Sequence, residues 1–188
     1  MKKLILVTSP PASGKTTLAK KLAKALRDTV YLDKDTLVPL SIKVFEAAGE
    51  PVNRSSFFFK KMIRDVEYQV ILDFGAQAIE YGSNVIINAP FSREIRDKKY
   101  MDGLRDRFLA LGAEVCVIWV SCSVETTHKR MQERNSSRDT WKLAHWDEYV
   151  KMENFDPPEI NGLLIYRNDT QEQADADLEK LLKRLKEC

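Results

Sequence analysis

Residues 4–17 read LILVTSPPASGKTT, an apolar run followed by a loop that ends in Ser-Gly-Lys-Thr. The apolar run predicts a buried β-strand over residues 4–8, and the amphipathic stretch after the loop predicts a helix over residues 15–27. The loop matches the pattern G-x-x-x-x-G-K-S/T, except that Ser9 stands at the first glycine position. The order of strand, loop and helix that this pattern requires is therefore present.

The chemistry of this loop is that of a phosphate cradle. Its successive backbone N–H groups can surround phosphate oxygens at the N-terminus of a helix, where the helix dipole favours an anion. Lys15 can reach the β- and γ-phosphates and act in catalysis, and Thr16 can hold Mg²⁺. Because glycine adopts positive φ more readily than serine, Ser9 is expected to restrict the loop. The predicted ligand is ATP or another nucleoside triphosphate, bound through Ala12, Ser13, Gly14, Lys15, Thr16 and Thr17.

The competing interpretation of the loop is a helix cap without a ligand. It would leave the buried strand before the loop and the two prolines inside it as coincidences. Phosphate binding is therefore the preferred interpretation.

Apolar runs and amphipathic stretches alternate along the rest of the chain. We predict further strands over residues 30–33, 85–88, 114–120 and 163–166, and helices over residues 93–111, 124–133 and 174–186. Short buried strands separated by helices indicate a parallel sheet. The expected fold class is α/β, a three-layer P-loop NTPase fold with a five-stranded parallel sheet flanked by helices. At 188 residues, the chain is expected to form a single domain over residues 1–188.

Two segments depart from this alternation. Residues 38–81 have a largely helical pattern with a break at residues 49–53, and we assign them to an acceptor-binding helical region. Residues 134–158 are polar, contain tryptophan and proline, and have little periodicity, which predicts a mobile lid. An ordinary surface connection is the alternative for this second segment.

Charge and cysteine content argue against several classes of protein. Thirty Lys and Arg residues against 28 Asp and Glu residues give a net charge of +2, so binding to nucleic acid would need a local patch and is not favoured. Three cysteines without CxxC spacing argue against a disulfide framework or a zinc site. No apolar run approaches the ~20 residues of a membrane-spanning helix. A cytoplasmic protein without a membrane partner is expected, and its oligomeric state stays open.

Two carboxylates follow the second predicted strand. Asp33 and Asp35 lie at the edge where parallel α/β sheets bind ligands, and their alternate spacing directs one toward metal and the other toward substrate. A helix N-cap is the alternative role for either one. The third strand ends at Asn88 without the acidic residue of a Walker B motif. Asp33 is therefore the expected metal carboxylate beside Thr16, unless Asn88 and water replace it, and the missing acid argues against a motor or AAA-type ATPase.

Arginines recur at intervals of four residues after the fourth strand. Arg130 and Arg134 share one face of the predicted helix and Arg138 follows, so three guanidinium groups are expected to point in one direction. The alternative is a solvated helix end with arginine near the C-terminal dipole.

With these segments, the chain resembles the small P-loop kinases of the nucleoside monophosphate kinase-like group. That group includes shikimate and gluconate kinases, polynucleotide kinase, zeta toxin, chloramphenicol phosphotransferase and small ATP-binding proteins that bear the AAA name. The resemblance rests on the phosphate loop, on Leu-Asp-Lys-Asp-Thr at residues 32–36 and on the arginine segment at residues 130–139. It implies a nucleoside kinase-like fold in which Asn168, after the fifth strand, lines the adenine site.

The resemblance also implies roles for the carboxylates and arginines. Asp35 would accept the proton of the substrate hydroxyl, and Asp33 would orient Mg²⁺ through water. Arg130 would pack its guanidinium against the adenine. Arg134 and Arg138 would come from the lid to neutralise charge on the transferring phosphoryl group.

The acceptor region carries aromatic and basic side chains. Arg54 and Arg64 flank three consecutive phenylalanines, a mixture that suits a polar or anionic acceptor. The expected function is an ATP- and Mg²⁺-dependent phosphotransferase that acts on a hydroxyl of a small polar molecule. The alternatives are a polynucleotide 5′-hydroxyl kinase and a nucleotide-binding NTPase or regulatory switch without such an acceptor. The acceptor itself, and the choice between ATP and GTP, are left open.

Overall fold

The structure, a computed structural model, describes residues 1–136 and 139–187. Within these ranges five strands form one parallel sheet: β1 Lys2–Thr8, β2 Thr29–Asp33, β3 Asn84–Asn88, β4 Ala113–Ser121 and β5 Leu164–Arg167. They are hydrogen-bonded in the order β2-β3-β1-β4-β5. The predicted α/β fold with a five-stranded parallel sheet is confirmed.

Eight α-helices connect and cover these strands in the described residues. They are α1 Lys15–Ala25, α2 Val38–Ala48, α3 Arg64–Glu80, α4 Lys98–Ala110, α5 Val124–Arg134, α6 Thr140–Ala144, α7 Trp146–Met152 and α8 Gln171–Glu187. Two 3₁₀ turns, Lys34–Leu37 and Glu94–Arg96, and one π-helical turn, Phe59–Ile63, complete the regular structure. Over the same residues, no helix is both long and apolar enough to cross a membrane.

The central strand β1 is buried on both faces. Because side chains alternate along a strand, Leu4 and Leu6 point to one face, where they pack in a cluster with α3 and α4. Ile5 and Val7 point to the other face, where they pack in a second cluster with α1 and α8. The two clusters explain why this strand reads as a continuous apolar run rather than an alternating one.

The strand order places the ends of three strands side by side. Asn88, at the end of β3, pairs in register with Val7 on one side and with Asp33 on the other. The phosphate loop follows β1 directly, so these residues all meet at the carboxyl edge of the sheet. This edge is where the chain order reverses around β1 and where open α/β sheets bind ligands.

The break predicted at residues 49–53 within the helical region is present, because α2 ends at Gly49 in a left-handed cap and the chain re-enters helix through the π-helical turn before α3. One predicted helix boundary differs. The helix predicted from residue 93 begins as a 3₁₀ turn, and α4 starts only where Asp97 caps it through Tyr100 N. The predicted lid contains the two short helices α6 and α7.

Candidate active site

A cleft of about 960 Å³ opens at the carboxyl edge of the sheet. Its walls come from the loop after β1, the turn after β2, the start of α3, and the segment around α5 to α7. It brings together most of the predicted site residues: Ala12, Gly14, Lys15, Thr16, Thr17, Asp33, Asp35, Arg54, Arg64, Arg130, Arg134 and Asn168. Ser13 is buried beneath the loop, and Arg138 lies outside the described residues.

The phosphate loop takes its unusual backbone at two positions. Ala12 has φ 61° and Gly14 has φ 101°, whereas Ser9 is not among the residues with positive φ. The left-handed conformations of the loop thus fall on Ala12 and Gly14, and none is required of Ser9. A Cβ on Gly14 would lie 2.2 Å from Asn168 Nδ2. Glycine is required at residue 14 by both its backbone and its neighbour.

Lys15 lies along the inside of the loop. Its Nζ donates to the carbonyl oxygens of Ser9 at 2.9 Å and of Pro10 at 2.8 Å. Helix α1 begins here, with no acidic residue in its first turn and no side-chain cap at Gly14. The first N–H groups of a helix have no intrahelical acceptor, so this loop presents N–H donors together with an ammonium group. That combination suits a phosphate chain.

A hydrogen-bonded group of polar side chains lies next to Thr16. Asn88 Nδ2 donates to Thr16 Oγ1 and to Asp33 Oδ2, each at 2.9 Å, and the Tyr31 hydroxyl donates to the same carboxylate oxygen at 2.7 Å. Burial raises the pKa of Tyr31, and the hydrogen bond to Asp33 and the negative charge of Asp33 raise it further. The Tyr31 hydroxyl therefore keeps its proton. Within the described ranges, the buried Asn88 Oδ1 has no hydrogen-bond partner.

This group offers the donor atoms that Mg²⁺ prefers. The hydroxyl of Thr16, the carboxylate of Asp33 and the unpaired amide oxygen of Asn88 are all oxygen donors. Because the oxygen and nitrogen of an amide are assigned from their surroundings, rotating the Asn88 amide would turn its oxygen to the other two residues. No cluster of three His, Cys, Asp or Glu side chains that could hold a metal occurs in the described part of the chain. A Mg²⁺ ion here would depend on one carboxylate, with water and phosphate as further ligands.

The two carboxylates after β2 differ in their surroundings. Asp33 Oδ1 accepts from Asp35 N at 3.0 Å, so Asp33 caps the following 3₁₀ turn as well as contacting Asn88. The N-cap alternative therefore applies to Asp33 alongside its place beside Thr16. Asp35 is exposed and lines the cleft. Of these two carboxylates, Asp35 is the more accessible to a molecule in the cavity.

Arg130 and Asn168 support the phosphate loop from outside. Asn168 Nδ2 donates to Ser13 O at 2.7 Å, and Arg130 donates to Ser13 O at 3.4 Å and to Asn168 O at 2.8 Å. Both also line the cleft. The contacts fasten α5 and the end of β5 to the loop, which is a structural role that residue spacing did not predict.

Arg134 has a different partner from Arg130. Its guanidinium donates to Asp139, whose side chain is fully buried, and Lys142 Nζ lies 3.2 Å from the other oxygen of that carboxylate. A buried carboxylate needs charged partners, and Asp139 takes both of these cations. Arg130 and Arg134 line the same cleft but are held by different contacts.

The two predicted substrate arginines are each paired with a buried glutamate. Arg54 contacts both oxygens of Glu67 at 2.6 and 2.8 Å. Arg64 contacts both oxygens of Glu94 at 2.6 and 3.1 Å, and its guanidinium lies 4.4 Å from the centre of the Tyr68 ring. The glutamates are thirteen and thirty residues away in sequence, so helical spacing gave no signal for them.

A third glutamate was also missed. Glu153, just after α7, lines the cleft. Burial raises its pKa, and the nearby charges of Lys142, Lys15 and Arg96 reduce this shift without cancelling it. A carboxylate thus faces the same cleft as the phosphate loop. Only the fold brings it there, because nothing in the polar segment around residue 153 marks it.

The comparison with family models decides the family. The model of the AAA domain family AAA_33 matches residues 4–158, which include the phosphate loop, both carboxylates after β2 and the segment up to the end of the predicted lid. The chain belongs to this AAA domain family. Its β3 nevertheless ends in Asn88 rather than an acidic residue, so membership by itself does not assign the chemistry of a motor ATPase. No curated protein sequence matches the chain.

Solved structures with the same fold cover nearly the whole chain. A protein from Chloroflexus aurantiacus, provisionally described as a kinase, has a TM-score of 0.70 and 21% identity, and the match covers 99% of this chain and 97% of that one. A sugar kinase from a Janibacter species has a TM-score of 0.64 and 16% identity over 99% and 95%. A gluconokinase from Sinorhizobium meliloti has a TM-score of 0.58 and 15% identity over 98% and 95%. The AAA domain protein therefore has the fold of P-loop kinases.

Proposed function

We propose that the chain is an ATP-dependent kinase that transfers the γ-phosphoryl group to a hydroxyl of a small polar molecule. The observation that carries this proposal is the shared cleft, which Lys15, Thr16 and Asp35 line together. A phosphate chain at the loop and a hydroxyl at Asp35 would then lie in one cavity, as in-line transfer requires. The fold of the sugar kinase and the gluconokinase supports the same conclusion.

In the proposed reaction, the hydroxyl oxygen forms a bond to the γ-phosphorus while the bond from that phosphorus to the bridging oxygen of ADP breaks. Asp35 accepts the hydroxyl proton. Lys15 and the N–H groups of the loop stabilise the charge on the phosphate oxygens. Thr16, Asp33 and Asn88 fit a Mg²⁺ ion, which when bound would neutralise phosphate charge.

The remaining predicted residues complete the donor side of the proposal. Arg130 and Asn168 hold the outer carbonyl of the loop, which keeps the N–H groups directed toward the phosphates. Arg134 would contact the phosphates through guanidinium donors that its hydrogen bonds to Asp139 leave unused, so the buried carboxylate keeps its partner. Arg138 is proposed to act from the same lid segment.

A polynucleotide 5′-hydroxyl kinase is the second candidate. The observation that favours it is the run of basic residues beside the cleft, where Lys60 and Lys61 are exposed between Arg54 and Arg64. Such a surface would bind nucleic acid with strong salt dependence, because each phosphate contact releases counterions. Failure to phosphorylate 5′-hydroxyl oligonucleotides at low salt would argue against this candidate.

The proposal is tested by ADP release from ATP and Mg²⁺ with a panel of acceptors. The panel contains sugars, sugar acids, nucleosides and 5′-hydroxyl oligonucleotides, each assayed with the wild-type protein and with Asp35→Asn. Asp35→Asn is expected to lower acceptor-dependent ADP release by at least about 100-fold, because a general base contributes about that factor. Its affinity for ADP should stay unchanged. Acceptor-independent ATP hydrolysis that survives Asp35→Asn would instead indicate an NTPase or a nucleotide-dependent switch.

A further inference from the structure

The acceptor side of the cleft is built around one buried carboxylate. Glu67 is 4% exposed and accepts hydrogen bonds from Lys34 at 2.7 Å, from Ser41, and from both Nη atoms of Arg54. Burial alone would raise the pKa of Glu67, but the hydrogen bonds from Arg54, Lys34 and Ser41 hold it at about 2. Glu67 is therefore ionised at neutral pH.

This group carries more positive than negative charge. Two cations, Lys34 and Arg54, meet the single carboxylate of Glu67, which leaves one positive charge in excess. The neighbouring pair of Arg64 and Glu94 is balanced by comparison. One of these two cations alone would neutralise the Glu67 carboxylate. An excess charge in a partly buried site is unfavourable unless an anion is supplied.

Both cations line the cleft, and Arg54 is the more accessible of the two. The Lys34 side chain is 6% exposed, whereas the Arg54 side chain is 30% exposed. The Arg54 guanidinium lies 4.5 Å from the centre of the Phe59 ring, so the ring and Glu67 fix its position. Its contacts with Glu67 use two of the five guanidinium N–H donors. The others can serve a ligand without any loss of these contacts.

Two further carboxylates, Asp33 and Asp35, flank Lys34 in the chain. Asp33 contacts Asn88 and Tyr31 at the metal end of the cleft. Asp35 is exposed, so water screens its charge. Arg54 and Asp35 nevertheless line the same cavity, together with Ser55 and Tyr68. One small molecule could therefore reach both residues.

We propose that the acceptor carries an anionic group, a carboxylate or a phosphate, which Arg54 binds while a hydroxyl of the same molecule faces Asp35. This inference rests on the proposed kinase function and names the chemical class of its acceptor. It differs from a purely structural role for Arg54, in which the side chain only ties the loop before α3 to Glu67. In the structural case, replacing Arg54 would change stability and leave the preference between charged and neutral acceptors untouched.

The test compares acceptors that differ by one charge. The pairs are gluconate with glucose, which tests a carboxylate, and adenosine 3′-monophosphate with adenosine, which tests a phosphate on a molecule with a 5′-hydroxyl. Binding of each to the full chain is measured by calorimetry in the presence of ADP and Mg²⁺, and KM and kcat are measured with ATP. At least one anionic member should bind about 10- to 100-fold more tightly than its neutral partner, the factor of one charged hydrogen bond.

The variants assign this preference to one residue. Arg54→Gln should remove most of the preference by raising KM for the anionic acceptor alone, and Arg54→Lys should keep part of it. Lys43→Gln removes an exposed charge from α2, outside the cleft lining, and should keep all of it. Thermal unfolding of each variant checks that it is folded.

Calorimetry separates this inference from the kinase proposal. Binding of an anion that depends on Arg54, without phosphoryl transfer, would support the anionic site and contradict the kinase. Three results would overturn the inference. They are phosphoryl transfer without a preference for the anionic acceptor, a preference that survives Arg54→Gln, and no binding of any of the four molecules.

Discussion

The two sides of the cleft are built in different ways. The donor side is centred on one continuous segment, in which the loop after β1 presents backbone N–H groups and a single lysine. The acceptor side depends on ion pairs between side chains far apart in the chain, such as Lys34 with Glu67 and Arg64 with Glu94. Backbone geometry therefore dominates on one side, and side-chain charge balance dominates on the other.

The two sides bind different kinds of ligand: the phosphate chain of the nucleotide is constant, whereas the acceptor can vary. A phosphate chain has the same shape in every nucleotide, so a fixed backbone loop serves it. An acceptor site has to match one molecule, and exchanging a few paired side chains changes its charge without disturbing the sheet. Substitutions on the donor side should therefore affect nucleotide binding and transfer, whereas those on the acceptor side should affect stability and acceptor choice.

The largest effect is expected from Lys15→Ala on the donor side. Removing the ammonium group leaves transition-state charge on the phosphate oxygens without this partner, and kcat should fall about 100- to 1000-fold. Lys20→Ala, which removes an exposed lysine from the same helix outside the cleft lining, should have no effect on kcat. The kcat of both variants is measured as ADP release in the presence of an acceptor that the wild-type protein phosphorylates. Full activity of the Lys15→Ala variant would contradict the role of Lys15 on the donor side.

Glu67→Gln tests the acceptor side through stability. Removing the charge that the buried Lys34 and the half-buried Arg54 share should cost about 3 kcal/mol in the free energy of unfolding. Glu46→Gln, in an exposed pair with Lys43, should cost less than about 0.5 kcal/mol. Urea unfolding at neutral pH measures both values. Equal effects would show that the buried network contributes no more than a surface pair.

The same network makes a prediction for acid. The pKa of Glu67 is lowered from 4.5 to about 2 in the folded chain, so folding favours its ionised form. This stabilisation is present above about pH 4.5 and is lost as pH falls toward about 2. The stability difference between the wild-type protein and Glu67→Gln should shrink over that interval. A difference that stays constant from pH 5 to pH 2 would contradict the ionised state of Glu67.

Gly14→Ala is expected to have an intermediate effect, confined to the donor side. The new methyl group would meet Asn168 Nδ2 on a backbone with φ 101°, so ADP affinity should fall by at least about tenfold. Gly103→Ala, in α4 where a Cβ meets nothing within 4 Å, should leave ADP affinity unchanged. Calorimetric titration with ADP distinguishes the two. Unchanged binding by Gly14→Ala would show that the loop does not hold phosphate in this conformation.

The smallest effect is expected from Glu153→Gln. The variant removes negative charge from a cleft proposed to hold phosphates, so ADP should bind about two- to fivefold more tightly at pH 8. Because burial raises the pKa of Glu153 above that of an ordinary glutamate, the wild-type side chain gains a proton more readily, and the difference should shrink on acidification. Glu148→Gln, exposed on α7, should bind ADP as the wild type does. Weaker binding by Glu153→Gln would show that its carboxylate assists the nucleotide.

The donor side was largely predictable because its signals are local. Strand, loop and helix follow one another in the chain, and alternating apolar runs predicted the parallel sheet. The contacts of Arg130 and Arg134 were not predictable, because their partners Ser13 O and Asp139 are set by tertiary packing rather than helical spacing. Glu67 and Glu153 were missed for the same reason.

The most direct test of the account follows the γ-phosphoryl group itself. The wild-type protein is incubated with ATP radiolabelled at the γ-phosphorus, Mg²⁺ and the acceptor that gives the highest ADP release, and the products are separated. We expect the label on the acceptor, with Lys15→Ala and Asp35→Asn each abolishing its transfer. Label that appears only as inorganic phosphate, at a rate independent of the acceptor and of Asp35, would contradict the account.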